Sequence, residues 1–118
     1  MELLWTNSNP NSNFNEQNVS LSNAMNNYQW LLFEIKTQTA IDRISYGMYD
    51  IQAFKTESKY TLMLSGINTY FERAVAYVND TTINIPVAKN INSGTGEETR
   101  TNSIIPLRIW GIKKLDLD

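Results

Sequence analysis

The sequence predicts an all-β domain, an antiparallel β-sandwich with a jelly-roll-like layout of about eight short strands. Three observations carry this. In most apolar stretches the apolar residues recur at every second position, the period of a half-buried strand. Clusters of Asn, Ser, Asp and Gly, which bend the chain, separate these stretches at intervals of about ten residues. The 118 residues, 42% hydrophobic and 11% aromatic, can fill one core, so a single domain over 1–118 is expected.

Glu2–Trp5 reads as a first strand. Thr6–Asn18, crowded with Asn and Ser, reads as an ordered surface loop, with the Phe14 ring pinning it to the body. Gln17–Ser22 alternates, with Val19 and Leu21 on one face, and "NAMNN" follows as a turn. Tyr28–Thr37 is the most decisive strand. Leu31, Phe33 and Ile35 share one face, and Trp30 and Leu32 share the other before Glu34 and Lys36 turn it polar, which predicts a central position. Ile41–Phe54 alternates again with Ile44, Tyr46 and Met48 pointing one way, and Gly47 inside it predicts a bulge or a close backbone approach.

Lys59–Gly66 groups Tyr60, Leu62 and Leu64. Tyr70–Asp80 groups Phe71, Val75 and Tyr77 as a strand, but Phe71, Ala74, Val75 and Val78 also fit a helical stripe, so strand and helix both stay open there. Thr81–Asn90 puts Ile83, Ile85 and Val87 together, and Asn92–Ser103 reads as an exposed loop. In the closing stretch, Asn102–Leu115, Pro106 cannot donate to a ladder. Its strand must start there, lie at an edge or be bulged. Ile105, Leu107 and Ile109 then face one way and Arg108, Trp110 and Ile112 the other, with Gly111 leaving room for the Trp110 ring or a neighbouring backbone.

The chemistry is bounded by what is missing. With no cysteine, disulfides, zinc ribbons and thiol catalysis are excluded, and with no histidine the commonest general base and metal ligand are gone. A net charge of −2 offers no basic field for phosphates, so no nucleic-acid partner is expected. No window approaches the roughly 18 apolar residues of a membrane helix, and the opening "MELLWTNSNP" lacks the basic leader and apolar run of a secretory signal. Glu97 and Glu98 point apart, Asp116 and Asp118 sit at a terminus, and Asp42, Asp50 and Asp80 lack the alternating oxygen ligands of a calcium loop. "SGTGEE" has no Lys-Ser or Lys-Thr after it, so it is not a phosphate loop. The chain is expected to be no enzyme, with no catalytic residue, no metal and no cofactor.

Binding is what remains. Asn9, Asn13, Tyr49 and Tyr70 are candidate ligand contacts, of the side-chain types that stack on sugars and bond their hydroxyls. Trp110 and Arg108, opposite a core row, are candidate interface residues, so a homo-oligomer is expected.

The two ends carry a family resemblance. Trp5, Thr6, Asn7, Pro10, Phe14, Val19 and Leu21 in "LWTNSNPNSNFNEQNVSL", and Asn102, Ile105, Pro106, Trp110, Gly111, Ile112 and Lys113 in "NSIIPLRIWGIK", resemble the opening and closing signatures of a family of small phage and prophage proteins. These are encoded among the tail and structural genes of phages of Gram-positive bacteria. "YQWLLFEIK" is similar to the family's second core strand, and Trp110 stands where the family more often has Tyr. The resemblance implies a virion-associated β-module of the tail or baseplate region, made in the host cytoplasm, contacting other virion proteins and a cell-surface saccharide, with no catalytic residues to carry over. The alternative is a monomeric carbohydrate-binding module without a virion role.

Overall fold

The computed structural model describes residues 1–37, 40–66 and 68–114. Among the described residues the chain forms an antiparallel β-sandwich of ten strands in two sheets, with one short helix. The strands are β1 (Glu2–Thr6), β2 (Gln17–Ser20), β3 (Trp30–Thr37), β4 (Ala40–Asp50), β5 (Lys59–Gly66), β6 (Thr69–Asn79), β7 (Thr82–Ile85), β8 (Ala88–Asn92), β9 (Glu98–Thr101) and β10 (Ile104–Ile112). Helix α1 (Ile51–Glu57) joins β4 to β5.

The first sheet has the order β1-β10-β3-β4, so the last strand lies between the first and the third. The second runs β2-β7-β6-β8-β9, with β5 along the other edge of β6. Long β6 is its spine, pairing with β5 along one edge and with β7 and β8 end to end along the other. Leu31, Phe33, Ile35 and Ile109 of the first sheet face Leu62, Val75, Ile83 and Ile85 of the second, all buried in one core. Burying each such side chain contributes about 1.5–3 kcal/mol.

Several expectations change in detail. The alternation of Ile41–Phe54 ends at Asp50, whose Oδ1 accepts the Ala53 N–H at 3.0 Å and starts α1. Ile51 and Phe54, three apart, then bury on one helical face. Phe54 meets Phe33, Tyr60 and Tyr77 at ring-centroid distances of 6.5, 5.8 and 6.1 Å, so the helix closes one end of the core. The "NAMNN" turn is a 3-10 turn over Met25–Asn27 that buries Met25. Pro86 splits the expected Thr81–Asn90 strand into β7 and β8. The expected loop Asn92–Ser103 is instead a hairpin tip followed by β9.

Residues 69–79 are strand, because both edges of that segment are paired, which a helix does not permit. Of the three possibilities for Pro106 the fold takes the bulge. The register of β10 against β3 shifts between Pro106 and Arg108, so Leu107 is passed over. This breaks the expected common face of Ile105, Leu107 and Ile109. Ile104 and Ile105 are both fully buried and Leu107 only half so. Gly111 makes room for the ring of Tyr28, whose atoms would lie 2.5–2.7 Å from an added Cβ, and not for Trp110 or a backbone. At Gly47 neither the bulge nor the close backbone is found: the β3–β4 register runs through it unbroken, and what approaches is a side chain, with Leu62 Cδ2 at 2.9 Å from an added Cβ.

Candidate functional site

Cross-strand partners share a face, so the registers place the outward residues of the first sheet in rows. One row crosses all four strands as Leu3, Trp110, Leu32 and Met48. The next is Thr6, Arg108, Glu34 and Tyr46. On either side lie Ile112, Trp30 and Asp50, and Lys36 with Ile44. This face turns away from the core, and it is apolar. Leu3 is 48% exposed, Ile44 44%, Tyr46 57% and Met48 48%. Those four are the majority of the seven exposed large apolar side chains among the described residues, and Trp30, Leu32 and Trp110 between them are half-buried. A contiguous patch of this kind marks an interaction surface.

One polar cluster sits at its centre. Glu34 is buried, held there by the pleat of a central strand. Its Oε2 accepts the Tyr46 hydroxyl at 2.6 Å, and the Arg108 Nη1 lies 3.4 Å from Oε1. Oε1 accepts no hydrogen bond among the described residues. Accepting that bond and carrying a nearby charge, Glu34 pushes ionisation of the Tyr46 phenol above its ordinary range, with burial adding to it and Arg108 opposing it. The Arg108 guanidinium also lies 6.0 Å from the centre of the Trp110 ring. The two interface candidates of the sequence, Trp110 and Arg108, are therefore neighbours on one exposed face.

The four ligand candidates do not come together. Asn9 and Asn13 lie in the exposed loop after β1, where Asn9 is tied into a local turn with Asn7 and Ser12. Tyr49 stacks on Tyr60 at 4.1 Å, and its hydroxyl donates to the Thr61 carbonyl, joining β4 to β5. Tyr70 is half-buried opposite Ile91, on the outer side of the second sheet.

A separate polar hollow of about 380 Å³ is lined by Asn68, Thr69, Asn90, Asn92, Glu97 and Thr99. Thr69, Asn90, Asn92 and Thr99 share the core-facing side of the second sheet, beyond its last apolar row. Asn68 adopts a left-handed backbone (φ 57°), which Asn tolerates better than most residues. Sequence reading passed over this hollow because its residues come from three strands and two turns, and only pairing unites them.

The acids considered for metal binding are otherwise engaged. Asp50 caps α1, and Asp80 accepts from Lys55, Asn26 and Tyr77, with the Lys55 ammonium chiefly responsible for holding its carboxyl below the usual range. Asp116, Asp118 and the Asp42 side chain lie outside the described residues. No group of three acidic side chains able to hold a metal occurs among the described residues, and no helix there is long and apolar enough to cross a membrane.

The two segments that carry the phage resemblance are neighbours in space. β1 pairs with β10, Asn7 donates from its backbone to the Leu107 carbonyl and from Nδ2 to the Pro106 carbonyl, both at 2.9 Å, and the Phe14 N–H reaches the Asn102 carbonyl at 2.9 Å. They form one structural unit around the bulge. No family model matches the chain, and searches of curated proteins and of solved structures found no match.

Proposed function

We propose that the protein is a non-catalytic structural or host-adhesion module of the tail or baseplate region of a phage particle, built into its assembly through the outer face of the four-stranded sheet. The apolar surface of that face carries the reading. Leaving Leu3, Tyr46 and Met48 in water around half-buried Trp110 and Leu32 is unfavourable for a freely diffusing monomer, and a neighbouring protein removes that penalty. The resemblance of Leu4–Leu21 and Asn102–Lys113 to phage tail-region proteins supplies the setting. The protein is then made in the host cytoplasm and carried on the virion, with other virion proteins as partners. Mass spectrometry and immunogold labelling of purified particles test this. Labelling at one end of the tail is expected, and particles devoid of the chain refute it.

The polar hollow favours a second reading, a monomeric carbohydrate-binding module. Amide, hydroxyl and carboxylate groups such as those of Asn68, Asn90, Thr99 and Glu97 are the partners sugar hydroxyls take. A glycan array separates the two. Tight binding by a monomer, lost in Asn68→Ala, supports this reading, and silence across the array removes it.

A further inference from the structure

We propose that the polar hollow of the second sheet takes a neutral saccharide by an acetamido group, whose carbonyl accepts from the side-chain amides of Asn90 and Asn92 while ring hydroxyls donate to Glu97. This names the ligand class of the second reading above and rests on that reading.

The hollow occupies positions that the fold would otherwise fill with apolar residues. Strand parity puts Thr69, Asn90, Asn92 and Thr99 on the side of the second sheet that carries Val75, Ile83 and Ile85 elsewhere. Four polar residues together on that side break the rule that the rest of the sheet obeys, as sequences do where a site is needed. Its volume, about 380 Å³, is that of a small-ligand site. The Ser93 N–H donates to the Asn68 carbonyl at 3.1 Å, tying the β8–β9 turn to the turn before β6, so the rim is held before a ligand arrives.

Internal bonds decide which polar atoms are left for that ligand. Asn92 Oδ1 accepts the backbone N–H groups of Gly94 and Thr95, at 2.9 and 3.1 Å. A backbone N–H can only donate, so the Asn92 carbonyl is fixed in the turn and its Nδ2 is left over as a donor. Asn90 Oδ1 accepts the Thr69 hydroxyl, which leaves Asn90 Nδ2 in the same position. Neither nitrogen has an acceptor among the described residues. The two asparagines stand on one face of β8, about 7 Å apart along it. Thr99 and Asn68 can donate and accept alike, so the two amides give the hollow an excess of donors.

One carboxylate faces them. The Asn92 N–H donates to the Glu97 carbonyl at 2.9 Å, so these residues are neighbours across the turn, and both line the hollow. Glu97 is the one charged side chain in the lining among the described residues. A fitting ligand therefore offers an acceptor to β8 and donors to Glu97, and carries no negative charge for Glu97 to repel. An acetamido sugar does all three, with an amide carbonyl that only accepts and hydroxyls that donate. A plain hexose lacks the carbonyl. An unacetylated amino sugar suits Glu97 but brings the two amides no such acceptor.

Nuclear magnetic resonance titration of the side-chain amide signals tests the assignment, with the methyl glycosides of N-acetylglucosamine, glucose and glucosamine as probes. The N-acetylglucosamine probe is expected to shift the Asn90 and Asn92 amide signals and to bind at least about tenfold more tightly than the other two. Asn92→Asp keeps the oxygen that the turn needs and removes the donor, so it should weaken that probe at least about tenfold. Should Asn92→Asp disturb the turn, Asn90→Asp removes the other donor, with the same loss expected. Glu97→Gln should leave the N-acetylglucosamine probe within about threefold and let in N-acetylmuramic acid, which the wild type rejects. Glucose binding as well as N-acetylglucosamine, a preference for glucosamine, wild-type binding of N-acetylmuramic acid, or indifference to both Asn→Asp changes overturns the acetamido assignment and leaves the saccharide reading standing. Silence toward every probe alongside hits on the glycan array does the same, and silence in both experiments removes the two together.

Discussion

At Gly111 and Tyr46 single groups decide local behaviour. The Tyr28 ring occupies the space that any side chain at 111 would need. Gly111→Ala forces that ring out of the packed core end and is expected to destabilise the fold by about 1–3 kcal/mol in urea denaturation. Stability equal to wild type would show that the ring swings aside freely. Tyr46 gives a pH signature. Its folded-state ionisation lies above the ordinary phenol value near 10, chiefly because its proton bonds Glu34. A group whose pKa is raised by folding stabilises the fold while protonated. The contribution is therefore whole below about pH 10 and is lost as the pH climbs through the folded value. Tyr46→Phe should flatten that alkaline loss and remove a late-titrating tyrosinate from the ultraviolet titration. A profile superimposable on wild type contradicts the assignment. The sequence showed Tyr46 sharing a face with Ile44 and Met48, but alternation alone does not say which of two faces meets water.

Among the elements, α1 lies where the β4 alternation was carried too far along the chain. Ile51 and Phe54, three apart, fall on opposite faces of a strand but on one face of a helix, and the group that starts the helix is the Asp50 carboxylate on the Ala53 N–H. Asp50→Ala is expected to cost about 0.5–2 kcal/mol, the loss of a helix N-cap, seen as a lower denaturation midpoint. No change would mean that packing of Phe54 alone holds the helix. The opposite ambiguity at 69–79 resolved to strand because β5, β7 and β8 take up its backbone groups along both edges, and a period read along one segment does not show its pairing partners. Pro106 was readable as an interruption, and Pro86 breaks a strand as well. One ends β7, whereas the other sits in a bulge of a strand paired on both sides, with the Pro106 and Leu107 carbonyls capped by Asn7.

For the molecule as a whole, the least expected feature is a fully buried cation. Arg73 projects from β6 into the sandwich, donates to the Ile104 carbonyl at 2.9 Å, and lies 5.2 Å from the centre of the Phe14 ring. Its Nε and Nη2 find no partner among the described residues, and burial lowers its ionisation to about 10 against the opposing pull of Glu16. Arg73→Met keeps the volume and removes an unpaired charge, so a gain of about 1–3 kcal/mol is expected. A clear loss of thermal midpoint would show that the bond to Ile104 and the contact with Phe14 outweigh desolvation. The β class, the apolar rows of β3 and β5 and the absence of thiol or imidazole chemistry were determined by the sequence alone, because a period of two and a composition are local properties. Which strands share a sheet, where β10 inserts, that Trp110 and Arg108 face solvent beside Glu34, and that Asn68 and Thr99 line one hollow were decided only by tertiary structure. Each of those depends on contacts between residues far apart in the chain, whose free energy exists only once both sheets have closed over the core.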